Sequence, residues 1–230
     1  MKNPIISVII PVFNEKHTIL KLLDLVQSVD IEKEIIIIDD NSTDGSREII
    51  KLLKDNNIKV ILEKSNSGKG NAIQKGINKA IGDIIIIQDA DLEYSPSEYP
   101  KLIQPILDGH ADVVYGSRFK GSSAHRVLYF WHYVGNKLLT ILSNMLTNIN
   151  LTDIETCYKV FRREIIQNIK LKENRFGIEP EITAKIAKTQ CRIYEIGISY
   201  KGRKYEDGKK ITFKDGLWAI WCIIKYNLLK

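Results

Sequence analysis

Ile84-Ile85-Ile86-Ile87-Gln88-Asp89-Ala90-Asp91 decides the reading of this chain. Four consecutive isoleucines without polar alternation predict a short strand covered on both faces, the mark of a parallel sheet wrapped by helices. Two carboxylates directly after such a strand, one small residue apart, repel each other unless a cation sits between them. Oxygen donors of this kind suit Mg²⁺ or Mn²⁺, which bridge carboxylates to a substrate's phosphates. Asp89 and Asp91 are therefore candidate metal ligands. The plainer alternative, Asp91 as a turn or helix cap, is outweighed by its place at the end of a buried strand.

Working outward, Ile5 to Ile10, Glu34 to Ile38, Lys59 to Leu62, Asp83 to Ile87 and Asp112 to Tyr115 read as strands. Between them Ile19, Leu22, Leu23 and Val26 recur at helical spacing, as do Ile73, Ile77, Ala80 and Ile81. The alternation predicts an α/β fold with a mostly parallel, Rossmann-like sheet. Ligands of such sheets bind beyond the carboxyl ends of the strands. The residues there are polar: Pro11-Val12-Phe13-Asn14-Glu15, Asp39-Asp40 running into the turn-forming Asn41 to Gly45, and Gly116-Ser117-Arg118-Phe119. Carboxylates at the place of Asp39 and Asp40 commonly accept hydrogen bonds from ribose or base.

Ser67-Gly68-Lys69-Gly70 is neither a Walker A loop nor a dinucleotide fingerprint, because Glu63, Gly70 and Ile73 stand where those motifs need Gly, Ser or Thr, and Gly. It reads as a loop at a helix N-terminus where Lys69 can face an anion. Tyr200 to Lys210 packs five basic residues and two glycines into eleven positions, either a solvated charged face or a mobile lid carrying Arg203 and Lys209. From Val127 to Thr147 a polar stripe of His132, Asn136, Thr140, Ser143 and Thr147 interrupts an otherwise apolar helix, which suits either a buried helix or one lying in a membrane interface. Leu217, Ile220, Trp221, Ile224 and Leu228 repeat the pattern.

The 230 residues are 44% hydrophobic and 27% charged, an ordinary globular balance for one domain with an elaborated second half. Three widely spaced cysteines form no CxxC pair, which excludes zinc ribbons and favours a reducing cytosol. The early first strand leaves no room for a signal peptide, and no apolar run is long enough to span a bilayer. The net charge of +6 is asymmetric: residues 157–230 carry 17 Lys and Arg against 8 Asp and Glu, which predicts an anionic partner on that side. The basic run is too short, and unaccompanied by any binding module, for nucleic acid.

In order along the chain, Pro11 to Glu15, Asp39 to Gly45, Gln88 to Tyr94, Gly116 to Phe119, and Arg203 with Lys209 six residues later resemble the inverting family-two glycosyltransferases of GT-A fold, in particular the polyprenyl-phosphate sugar synthases of the dolichol-phosphate mannose synthase type. The resemblance covers roughly Ile5 to Lys210 and implies a single catalytic domain over residues 1–230, with a nucleotide-sugar half over residues 1–120 and an acceptor half, carrying a mobile basic loop at 200–210, over residues 121–230. It implies a sugar nucleotide donor of the GDP-mannose or UDP-glucose type, a divalent metal and a polyprenyl phosphate acceptor. Together with the basic last third and the two amphipathic helices, a lipid acceptor predicts a peripheral enzyme on the cytoplasmic face of a membrane. Residue by residue the resemblance implies that Pro11, Phe13, Glu15, Asp39 and Asp40 hold the nucleoside, with Lys69 and Ala90 on the same donor side. It further implies that Asp89 and Asp91 hold the metal against the diphosphate, and that Arg118, Arg203 and Lys209 meet phosphates. Phe13 stands where the family usually has tyrosine. Asp153-Ile154-Glu155-Thr156-Cys157-Tyr158-Lys159 departs from the family's aspartate, serine or threonine, glycine pattern. A phosphate acceptor is largely a dianion at neutral pH and needs no general base, whereas a saccharide hydroxyl needs one, with Asp153 or Glu155 as candidates. A non-catalytic nucleotide-sugar or anionic-lipid binding module is the reading of another class.

Overall fold

The computed structural model describes residues 5–121, 126–127, 129–203 and 213–229. Strands β1 (Ile6–Val12), β2 (Lys33–Asp39), β3 (Ile58–Leu62), β4 (Ile84–Ile87), β5 (Val113–Ser117), β6 (Lys159–Arg162) and β7 (Ile193–Gly197) join one sheet in the order β3-β2-β1-β4-β6-β5-β7. Pairing is parallel throughout except for β6, which runs antiparallel to both β4 and β5.

The five strands predicted from sequence are all present, with ends shifted by a residue or two. Both tetra-isoleucine runs are buried on both faces, as unalternating apolar strands require. Helices α1 (Ile19–Gln27), α2 (Ser46–Lys51), α3 (Lys69–Lys79) and α4 (Tyr99–Leu107) supply the cover. Ile19, Leu22, Leu23 and Val26 form the buried face of α1, and Ile73 with Ile77 that of α3. Burial of each such side chain stabilises by about 1.5–3 kcal/mol, so the β1-β2-β4 centre is the mechanical base of the site.

Strand β6 was not legible beforehand, because Lys159-Val160-Phe161-Arg162 is short and flanked by charges. It wedges between β4 and β5, and behind it follow α6 (Arg163–Gln167) and α7 (Ile178–Ala187), the latter buried along most of its length.

Helix α5 (Phe130–Thr147) turns its polar stripe inward. Thr140 and Ser143 are buried, while Trp131 is 78% exposed, Met145 73%, Phe130 66% and Leu138 62%. Of the inward polar groups, Asn144 exchanges hydrogen bonds with the Leu151 backbone, and Thr140 Oγ1 accepts from the Ile154 amide. Helix α8 (Phe213–Leu228) packs on α5 with Ala219, Cys222 and Ile223 buried and Leu217, Trp218 and Trp221 exposed. Among the described residues no helix is long and apolar enough to cross a membrane.

Candidate active site

A cavity of about 1060 Å³ opens beyond the carboxyl ends of β1, β2 and β4 and runs out between α5 and α8. Its inner wall carries Pro11, Phe13, Glu15, Asp40, Lys69, Asp89, Ala90, Asp91, Arg118, Glu155 and Arg203, so most of the residues singled out from sequence converge on one space. Trp131, Leu138, Leu142, Leu217 and Ile220 line its outer end.

The β1 and β2 loops are stitched together. Ser42 Oγ accepts from the Asn14 amide (3.0 Å), Ser46 Oγ from the Glu15 amide (2.8 Å), and Asn14 Oδ1 from the Thr43 amide (2.8 Å). Asn14 and Asn41 adopt positive φ, which asparagine tolerates. Asp40 accepts from the Ser67 and Gly68 amides at 2.7 Å each, so it shapes the loop before α3 while facing the cavity. Gly68, at φ +98°, needs glycine to make that turn. Asp39 departs from the expectation of a nucleoside contact. It is fully buried, does not line the cavity, and pairs with Arg47 at 2.7 Å, because β2 points alternate side chains to opposite faces.

Asp89 and Asp91 stand on a fixed base. Gln88 is buried, accepts from both Tyr99 and Tyr158 hydroxyls at 2.7 Å, and donates to the Asp89 carbonyl oxygen at 2.9 Å. Lys69 Nζ lies 2.8 Å from Asp89 Oδ1 and 3.4 Å from Glu179 Oε1. Burial alone would depress the Lys69 ammonium, but Asp89, Cys157 and Glu179 raise it well above its ordinary value. Burial together with the neighbouring carboxylates of Asp89 and Glu93 pushes Asp91 up to about 7. Among the described residues no group of three or more His, Cys, Asp and Glu side chains is placed to hold an ion. The donor set is two crowded carboxylates, all oxygen, with the remaining positions left to phosphate and water. That set fits Mg²⁺ or Mn²⁺, which bind through one or two carboxylates plus substrate oxygens.

Arg203 spans the roof. Its guanidinium donates to Glu15 Oε2 (2.9 Å) and to the Asp91 carbonyl oxygen (2.5 Å), while its amide donates to Glu93 Oε1. Lys209, the other basic residue singled out in this segment, lies outside the described residues.

Arg118 and Asp153 form a two-point ion pair, Nε to Oδ2 and Nη2 to Oδ1, both 2.7 Å. Burial would raise the Asp153 carboxyl, but Arg118 holds it below its ordinary value. Asp153 is fully buried and off the cavity wall, which corrects its candidacy as a general base: it is the counter-ion that aims Arg118. Glu155 keeps that candidacy. Its Oε1 is shielded from solvent without a hydrogen-bond partner, and burial with nearby Glu179 pushes its carboxyl up to about 7.

Sequence reasoning missed Glu179, and it named Lys159 and Tyr200 only as the ends of longer stretches, with no role of their own. Glu179 sits in the first turn of α7, facing Lys69 and the wholly buried Lys159, whose ammonium also meets the Ile154 and Thr156 carbonyl oxygens. Tyr200 packs its ring 5.3 Å beneath the Arg118 guanidinium and donates to Glu93 Oε2. One signal was available for Glu179, a carboxylate placed in the otherwise apolar helical spacing of Ile178, Ile182 and Ile186.

A mostly parallel sheet with one antiparallel strand, a strand-end carboxylate pair and a cavity fenced by cations together define a GT-A glycosyltransferase fold. Glucosyl-3-phosphoglycerate synthase from Mycobacterium tuberculosis, crystallised with Mn²⁺, uridine diphosphate and glucosyl-3-phosphoglycerate, superposes with a TM-score of 0.74 at 20% identity, covering 99% of this chain and 81% of that one. The same enzyme with Mg²⁺ and uridine diphosphate gives 0.73, at 20% identity and with coverages of 99% and 80%. The family model for glycosyl transferase family 2 matches residues 7–170, and the chain belongs to that family. It is 29% identical over 211 residues to the undecaprenyl-phosphate 4-deoxy-4-formamido-L-arabinose transferase of Proteus mirabilis, covering 89% of this chain and 62% of the relative. It is 28% identical over 213 residues to the dolichol-phosphate mannosyltransferase of Pyrococcus furiosus, covering 90% and 60%. The chain thus spans about three fifths of the length of these curated relatives.

Proposed function

We propose that this chain transfers a hexose from a sugar nucleotide, of the GDP-mannose or UDP-glucose type, to a polyprenyl phosphate, with inversion at the anomeric carbon and with Mg²⁺ or Mn²⁺. The observation that carries this reading is one cavity with two chemically different ends, charged at Asp89, Asp91, Arg118 and Arg203 and apolar between α5 and α8. An amphiphile with a phosphate head and a hydrocarbon tail matches both. The names of the relatives from Proteus mirabilis and Pyrococcus furiosus point to the same acceptor class.

In this reading Pro11, Phe13, Glu15 and Asp40 line the nucleoside end. Asp89 and Asp91 would hold the cation, which supplies neutralisation of charge on the departing diphosphate. Lys69 offsets the charge of Asp89. Arg203 exchanges its contact with Glu15 for donor phosphate, and Arg118, fixed by Asp153, takes the acceptor phosphate bidentately. The acceptor oxygen attacks the anomeric carbon opposite the diphosphate, so an α-linked donor yields a β-linked product. A phosphate dianion gives up no proton, so no base is needed.

A saccharide hydroxyl acceptor is the second reading, favoured by one observation, the unpartnered Glu155 Oε1 in a carboxyl poised near 7. Purified protein supplied with a panel of labelled sugar nucleotides, each metal in turn, and either polyprenyl phosphate or saccharide acceptors separates the two. Product on lipid phosphate alone supports the first reading, and product on saccharide alone replaces it.

The outward apolar faces of α5 and α8 and the basic last third support a peripheral seat on an anionic membrane surface. One domain serving both donor and acceptor is part of the same proposal.

A further inference from the structure

The segment from Lys172 to Gly177 touches three helices at once. Glu181 on α7 accepts from the Lys172 amide (2.8 Å) and the Glu173 amide (2.7 Å), anchoring its start. Its backbone then presses on the N-terminus of α3: the Asn174 carbonyl oxygen accepts from the Asn71 amide (3.0 Å), and the Glu173 carbonyl oxygen from Gln74 Nε2 (2.9 Å). A Cβ on Gly70 would run into the Glu173 carbonyl oxygen, and one on Gly68 into the Asn174 carbonyl oxygen. Contact is so close that this turn of α3 cannot move unless the segment moves with it. Lys69, between those two glycines, carries the ammonium that stands 2.8 Å from Asp89.

The Glu173 side chain points the other way, into α8. Its carboxylate is 6% exposed as a residue and accepts from Trp218 Nε1 (3.0 Å), Lys225 Nζ (2.8 Å) and the Tyr226 hydroxyl (2.7 Å). Three donors on one helix converge on a carboxylate whose own backbone braces the donor loop. On the same helix Leu217 and Ile220 line the outer end of the cavity.

We propose that Glu173 is a positioning residue that couples the seating of α8 to the donor end of the cavity. A load on α8 from an acceptor or a membrane surface passes through Glu173 to the first turn of α3 and so to Lys69 and Asp89. By reciprocity, filling the donor end steadies α8. The functional consequence rests on the sugar-nucleotide reading, whereas the mechanical coupling does not.

Two substitutions test it at a distance from Asp89. Trp218→Phe removes one hydrogen-bond donor from α8 and keeps an aromatic ring there, and Glu173→Gln removes the charge that gathers all three donors. Ile223→Val, in the buried face of α8, serves as a control that loosens packing by a methylene. Hydrogen exchange at the Asn71 amide in the free protein, and the dissociation constants of GDP and UDP with Mg²⁺, are read for each. Coupling predicts that Trp218→Phe and Glu173→Gln speed Asn71 exchange and weaken the bound nucleotide by about 5-fold or more, with Ile223→Val doing neither. Asn71 exchange and nucleotide affinity unchanged in both variants, or changed equally in the control, would overturn the proposal. If the wild-type protein binds neither nucleotide, the sugar-nucleotide reading falls and the exchange data alone decide the coupling.

Discussion

Asp153 meets Arg118 edge to edge, with two 2.7 Å hydrogen bonds and a third from the Arg118 amide at 3.1 Å, all in a site from which Asp153 is sealed. Removing one member of such a pair leaves an uncompensated buried charge, which costs about 3–5 kcal/mol. Asp153→Ala is expected to lower the unfolding free energy obtained from urea titration by that amount, and to lower activity through the misaimed Arg118. A catalytic base would behave otherwise, with activity lost and the urea midpoint held.

Asp91 shares its space with Asp89 and Glu93. Asp91→Asn removes one of three mutually repelling carboxylates, so the metal-free protein is expected to melt at a higher temperature than wild type. Metal-dependent nucleotide binding, followed by titration calorimetry with Mn²⁺ present, should disappear in the same variant. Retained turnover would refute the assignment of Asp91 to the cation.

Glu155 titrates near 7 in the folded chain against about 4.5 for an ordinary glutamate. Between these values the folded chain holds a proton that the unfolded chain has lost, so this residue's contribution to stability is present at low pH and fades as pH rises through 7. Urea midpoints from pH 4 to pH 8 are expected to fall more steeply in wild type than in Glu155→Gln, with the variant the more stable at pH 8. If a hydroxyl is the acceptor, the same variant loses turnover; with a phosphate acceptor, turnover survives in large part.

Trp131 and Trp221 sit in the outward faces of α5 and α8, at 78% and 44% exposure. Replacing both with glutamate removes little packing at Trp131 but a ring more than half buried at Trp221, so a modest fall in melting temperature is expected. Sedimentation with vesicles rich in anionic lipid should fall, because apolar insertion is lost and each added negative charge opposes a basic surface worth about 1 kcal/mol per Lys or Arg. A wild-type chain that ignores anionic vesicles at low salt would remove the membrane seat altogether.

Much of the sheet was legible because a strand covered on both faces must be apolar at every position, and Ile35 to Ile38 and Ile84 to Ile87 satisfy that with no help from context. Strand β6 satisfies nothing of the kind. Lys159 within it is tolerable only because Glu179 and two carbonyl oxygens wait for its ammonium, and these partners come from other elements. Helix α5 shows the same dependence. Its apolar and polar faces were evident in the spacing, but which one turned inward depended on whether polar partners such as the Leu151 and Ile154 backbones stood beside it.

The sequence by itself determined the α/β class, the places of five strands along the chain and the stretches that meet at their carboxyl ends, since each follows from local periodicity and from where a covered strand must stop. Only the tertiary structure separated Asp40, on the cavity wall, from Asp39, held by Arg47 behind it, and Glu155, with an unpartnered oxygen, from Asp153, spent on Arg118. Neighbouring carboxylates look alike in a sequence because their chemistry is set by what faces them. Those partners, Arg47, Arg118, Lys69 and Glu179, are brought in by folding.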